Sequence, residues 1–220
     1  AGFVIRSHST DELYALCSDL VDNVNENVPQ ETDTPPSDAG NLSYFQNFSY
    51  LREMGKGGQK AMKGLADEYP QFKSWYPYPK PLIHPRLLSV QQLTGIYSPF
   101  TIEANYNSEI PDYNIPHTIC HELSHLQGYM REDEANFIGY LACISSENEA
   151  FRYSGYLTGW GYAGNALVRV DRKRYIELTD QLCEGARQDL DENSDFWNRY
   201  ESRVSEAATR MNDTYLKMNS

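Results

Sequence analysis

Apolar residues recur every three or four positions over most of this chain and alternate in only one stretch. Ser9 to Glu12 is a capping box, and Leu13, Leu16, Leu20 and Val24 follow at helical spacing. That pattern predicts a helix opening at Ser9. Residues 28–43 hold three prolines among Thr, Ser, Asp and Gly, which predicts a flexible surface loop. A short helix is expected from Gln59 to Tyr69, stopped by Pro70, and the proline-rich Tyr76–Pro85 is expected to be extended. The alternating stretch is Gly95–Ser108, with Ile96, Tyr97, Phe100, Thr101, Ile102 and Tyr106. It reads as a strand or hairpin, and Pro99 places it at an edge or bulge. An edge strand either accepts an extended peptide by strand addition or is shielded by a loop.

Helical periodicity then resumes. Pro116 suits the first turn of a helix carrying His117 to Gln127, and Gly128 is placed to end it. A second helix is expected from Arg131 to about Ser146. Tyr153–Gly164 is rich in Gly and Tyr, with Trp160, and is a candidate cleft lining. Trp197, Tyr200, Val204, Ala208, Met211 and Tyr215 form a C-terminal apolar stripe. The expected fold class is α+β, mainly α, with a small sheet or edge strand ahead of the helix at His117.

Charge and cysteines narrow the function. The chain has 220 residues, a net charge of −12 and a sequence pI of about 4.8, so no nucleic-acid footprint is expected. No window approaches an apolar membrane span, and Ala1 to Thr10 lacks a signal-peptide pattern. The chain as given is therefore expected to be soluble. Cys17, Cys120, Cys143 and Cys183 show no CxxC spacing, which argues against a thiolate metal site. Cys120 and Cys143 read as core residues. Most of the 17 tyrosines read as surface packing rather than a peptide groove.

The chemistry lies in His121-Glu122-Leu123-Ser124-His125, an HExxH motif. Two histidines four apart share a helix face and can reach one ion, and the intervening glutamate can take a proton from an attacking water. Zn²⁺ is the expected cofactor, with His121 and His125 as metal ligands and Glu122 as general base. A catalytic zinc usually takes a third protein ligand. His117 and His125 lie about 12 Å apart along a helix, so His117 is excluded as that ligand. It reads as a cap, a substrate-side residue or an exposed one. Arg131 stands where the longer HExxHxxGxxH signature carries a third histidine, and a guanidinium offers no lone pair.

The acidic run Glu132, Asp133 and Glu134 follows. If the chain reverses at Gly128, Ala135, Gly139 and Ala142 form a small-residue face for close packing. Glu132 extends that face by one turn, whereas Glu134 heads the bulkier stripe Phe137, Ile138 and Leu141. Glu132 is favoured and Glu134 is the alternative; should the second helix fail to fold back, Glu147 or Glu149 enter. Asn136 is placed to steady a ligand, and Tyr153 or Tyr156 is a candidate oxyanion donor.

The stretch HELSHLQGYMREDEANFIGYLAC (His121 to Cys143) resembles a bacterial family of membrane-anchored, zincin-like proteins. So do GIYSPFTIEANYNSEIP (Gly95 to Pro111) and FRYSGYLTGW (Phe151 to Trp160). The run at Glu132, Ala135 and Asn136 is also similar to the second motif of the CAAX prenyl endopeptidases, which maps a metal-ligating glutamate onto Glu132. The resemblance implies a single zincin-like domain over residues 1–220 and a gluzincin-type peptidase acting on a peptide or protein substrate. It also implies an extracytoplasmic placement in a membrane-anchored bacterial protein, with membrane association only through segments outside this chain. Two rival readings stand beside it. One is a non-catalytic zinc-binding regulatory or substrate-binding extracytoplasmic domain. The other is a structural domain that binds no metal.

Overall fold

The computed structural model describes residues 6–29 and 44–218, with side chains described over 6–29 and 49–201. The predicted loop at 28–43 falls almost wholly outside the described residues. The protein is mainly helical with one small sheet, the α+β class expected.

Helix α1 (Thr10–Asn27) opens on the capping box: Ser9 Oγ accepts from the Glu12 amide at 3.2 Å, and the Ser9 amide donates to Glu12 Oε2 at 2.7 Å. Its buried face is Cys17, Leu20, Val21 and Val24, so Leu16 of the predicted stripe stays exposed. Helix α2 runs from Tyr44 to Glu68, far longer than the segment expected from Gln59. Gly55, Gly57 and Gly58 hide it by lowering helix propensity. They serve packing instead. A Cβ on Gly58 would overlap the Ile119 side chain, and one on Gly55 would lie 2.8 Å from the Pro79 carbonyl. Gly58→Ala should therefore lower stability by about 1–2 kcal/mol, because overpacking outweighs the helix gain. Gly64→Ala on the same helix meets nothing within 4 Å and should raise stability by about 0.5–1 kcal/mol. Urea denaturation of the two variants checks both signs.

Strands β1 (Lys80–Pro81), β2 (Gly95–Ser98) and β3 (Glu103–Tyr106) form a sheet in the order β1-β3-β2. β2 and β3 are an antiparallel hairpin with Ser98 opposite Glu103, and β1 joins β3 in parallel. The alternating stretch is thus a hairpin whose outer strand is an edge, and Pro99 sits in its turn. A short helix, α3 (Arg86–Val90), crosses between β1 and β2.

Helix α4 (Asn114–Leu126) starts three residues ahead of His117, with Pro116 in its first turn. Helix α5 (Glu132–Ile144) packs on α4, and α6 (Glu149–Val170) packs on both. The Gly- and Tyr-rich Tyr153–Gly164 is the middle of α6. Its glycines permit close contact: a Cβ on Gly155 would lie 2.7 Å from that of Cys143. Helices α7 (Arg172–Thr179) and α8 (Glu184–Met218) complete the chain.

Two apolar clusters form the core. The first joins α2, β3, α4 and α5 around Met62, Leu65, Tyr106, Ile119, Leu123 and Ile138, and includes Cys120 and Cys143. The second joins α1, α6, α7 and α8 around Val24, Leu157, Trp160 and Leu178, and includes Cys17. All four cysteines are free thiols. Trp197 and Tyr200 pack against the first cluster; the remaining side chains of the predicted C-terminal stripe lie outside the described residues.

Candidate metal centre

His121 and His125 project from one face of α4, with their Nε2 atoms 3.0 Å apart. The helix ends in a Schellman turn: Gly128 has φ 92°, its amide reaches the His125 carbonyl at 2.9 Å, and the Tyr129 amide reaches that of Ser124 at 3.3 Å. This turn places the Tyr129 carbonyl 2.7 Å from His125 Nδ1. A proton held there leaves Nε2 with its lone pair facing inward. The Tyr97 ring of edge strand β2 stacks on His125, centroids 4.6 Å apart.

The tight reversal lets α5 return along α4. Ala135, Gly139 and Ala142 are fully or nearly fully buried at the contact, as the small-residue face predicts. Gly139 sets the separation, since a Cβ there would lie 3.2 Å from the His121 amide nitrogen and 3.3 Å from His117 Nε2. The first residue of α5 then faces the histidines. Glu132 Oε2 lies 3.3 Å from His121 Nε2, and Oε1 lies 3.4 Å from His125 Nε2. Donor atoms bound at about 2.0–2.1 Å in a tetrahedral shell are separated by about 3.3 Å. His121, His125 and Glu132 therefore meet the spacing needed to hold one metal ion. The histidines are largely buried, but the Glu132 side chain is 75% exposed, so the centre opens to solvent on that side.

The other acidic candidates are elsewhere. Glu134 is not in the cluster. Glu147 pairs with Lys60 at 2.6 Å, and Glu149 heads α6 beside Arg152 at 3.8 Å. Arg131, the residue ahead of α5, pairs with Asp133 at 2.5 Å.

Glu122 is buried on α4 against β2. Gly95 makes room for it, because a Cβ there would lie 2.6 Å from Glu122 Oε1. Burial, and secondarily the Glu132 carboxylate, push the Glu122 carboxyl up to about 8. Burial and then His125 repulsion lower His121, partly offset by Glu132. The Asn136 side chain lies close enough to favour the charged His121 ring, yet no bond of normal geometry reaches Nδ1, which is buried without a partner.

His117 is neither exposed nor a cap. It is buried, its Nε2 lies 3.1 Å from the Asn136 carbonyl, and burial pushes it down to about 4. It ties α4 to α5 as a neutral ring. The two tyrosines proposed for the oxyanion also sit away from the centre. Tyr153 donates to Asp189 at 2.5 Å, and Tyr156 packs against the second core cluster. Helix α6 instead brings Thr158 and Tyr162 to a cavity of about 270 Å³ that also touches His117, His121, Glu132 and Asn136. The expected cleft lining is therefore real, carried by one helical face. Tyr97, Gly95 and the Tyr129 carbonyl were not foreseen. Only the strand alternation around Tyr97 signals any of them.

A family model described as a protein of unknown function, DUF3810, matches residues 2–220. The chain belongs to this family. No curated protein and no solved structure matches it. In this DUF3810 member no described helix is long and apolar enough to cross a membrane.

Proposed function

We propose that this protein is a zinc-dependent peptidase of zincin-like, gluzincin type. The carrying observation is the convergence of His121, His125 and Glu132 on one point, beside a buried glutamate of the same HExxH helix. The donor set suits zinc: two imidazoles and one carboxylate at tetrahedral spacing, with an open side. When bound, zinc acts as a Lewis acid that acidifies water and polarises a carbonyl.

The chain supplies the rest. Glu122 takes a proton from the attacking water and passes it to the leaving amine. A group with a carboxyl held near 8 is well matched to both transfers. Tyr162, which lines the cavity within reach of the Glu132 charge, would donate to the developing oxyanion. Strand β2 pairs on one side only among the described residues, and Tyr97 anchors it over His125. An extended peptide adding to that edge passes in front of the centre. The substrate is accordingly a peptide or protein segment that can become extended, and the proposed setting is the extracytoplasmic side of a membrane-anchored protein.

The test is purification without chelator or metal-affinity tag, metal analysis, and digestion of a peptide library. About one equivalent of zinc, with cleavage removed by chelation and restored by zinc, is expected. Stoichiometric zinc with no cleavage at any pH would instead favour a non-catalytic zinc-binding domain. Less than about a tenth of an equivalent would favour a structural one.

A further inference from the structure

A second cavity, of about 540 Å³, lies among α1, α5 and α6. Its walls are mainly apolar: Leu13, Leu16 and Leu20 of α1, Phe137 and Tyr140 of α5, and Ala163 of α6. Gly159 lets the three helices close around it, since a Cβ there would lie 2.9 Å from Tyr140 Cε2 and 3.1 Å from Leu20 Cδ2. Leu16 and Phe137 remain 48% and 42% exposed. Leu16 continues the apolar stripe of α1 yet joins neither core cluster. The stripe thus outruns the core and ends at this cavity.

The cavity shares a wall with the metal centre. His117, Asn136, Thr158 and Tyr162 line both this cavity and the one of about 270 Å³ that touches His121 and Glu132. Consecutive Cα atoms of a peptide are about 3.8 Å apart, so a residue beside a carbonyl at the metal centre can send its side chain into the neighbouring cavity. The lining selects which side chain. Neither Lys nor Arg lines the cavity, and its carboxylate, Asp133, is already matched by Arg131 at 2.5 Å. His117 Nε2 is taken by the Asn136 carbonyl at 3.1 Å. A charged side chain would lose its water there and find no free counter-charge, whereas Leu, Met or Phe is stabilised by burial against the leucines.

We propose that this cavity receives a large apolar side chain of the peptide crossing the metal centre, from a residue flanking the scissile bond. The inference rests on the peptidase reading for where that peptide lies. It adds a preference that the metal ligands and Glu122 do not supply. Helix α1 thereby becomes part of the substrate site, although it carries none of the metal-binding residues.

The first test is digestion of a peptide library by the zinc-loaded protein, with cleaved bonds read by mass spectrometry. Leu, Met and Phe should be enriched at one position flanking the cleaved bond, and Asp, Glu, Lys and Arg depleted there. Ala163→Phe, which fills the cavity, and Leu16→Glu, at an exposed helical position, should each lower kcat/KM for a Phe peptide about tenfold or more relative to the matched Gly peptide. The second test needs no turnover. N-acetylphenylalanine amide titrated into metal-free protein should shift the methyl NMR signals of Leu13, Leu16 and Leu20 saturably, while N-acetylglycine amide leaves them in place. The shifts should survive in Glu122→Gln and vanish in Ala163→Phe. Saturable shifts without any cleavage would sink the peptidase reading and leave the pocket standing. Cleavage without an apolar preference, a preference that both variants keep, or leucine methyls unmoved by the phenylalanine amide would overturn the pocket. A concentration-dependent dimer dissolved by Leu16→Glu would assign the face to a second copy and overturn it too.

Discussion

Glu122→Gln should keep its zinc and lose about 10²–10⁴-fold in peptide hydrolysis. Glu122 is not one of the three converging donors, so stoichiometry measured by metal analysis should be unchanged. The amide fills the same buried space beside Gly95 but accepts no proton. Retained hydrolysis would remove Glu122 from the reaction. The variant has a second readout in metal-free protein. The folded-state carboxyl sits near 8, raised from an ordinary value of 4.5, so the buried group is accommodated as the neutral acid. Its favourable contribution is complete below about pH 4.5 and is lost as pH rises through about 8. The stability advantage of Glu122→Gln over the parent should therefore grow from pH 5 to pH 8, by up to a few kcal/mol. A gap that stays constant over that range would show that Glu122 is not held in the neutral form.

Glu132→Ala should lower zinc affinity by about 100-fold or more, while Glu134→Ala leaves it unchanged. Glu132 supplies one of the three donor groups, its Oε2 3.3 Å from His121 Nε2 and its Oε1 3.4 Å from His125 Nε2, whereas Glu134 supplies none. Thermal melting reports the difference directly. Zinc at about 100 times its dissociation constant should stabilise the parent and Glu134→Ala by about 2.7 kcal/mol. Glu132→Ala should show little of that gain. The ordering reversed would move the third ligand to Glu134 and require α5 to rotate. Glu132 is exposed, so loss of its side chain leaves no cavity to confuse the reading.

The small-residue argument worked at Glu132 because it rests on local geometry. Residues three apart on a helix share a face, and Ala135, Gly139 and Ala142 could only be a close contact. Gly128 was equally legible, since a left-handed residue after a helix favours glycine. Helix α2 was not legible over its first half. Gly55, Gly57 and Gly58 look like helix breakers until Ile119 and the Tyr78–Pro79 segment are seen packed against them. The burial of His117 was not legible for a related reason: its partner, the Asn136 carbonyl, comes from another helix, and no spacing along α4 reveals it. Tyr153 and Tyr156 were singled out instead of Tyr162 because several tyrosines on α6 share similar local surroundings. Which of them faces α8 and which faces the cavity depends on how α6 is rotated in its packing.

By itself the sequence determined the pair of imidazoles on one helix face, the glutamate between them, the turn that follows and the carboxylate that meets them. Each depends on contacts within one or two turns of helix, where backbone periodicity fixes direction. Only the tertiary structure decided that Tyr97 covers His125, that Gly95 shelters Glu122, and that Tyr162 rather than Tyr153 reaches the cavity. Those contacts join elements far apart in the chain. Their registers are set by the summed packing of several helices and a sheet edge, a quantity no local pattern contains.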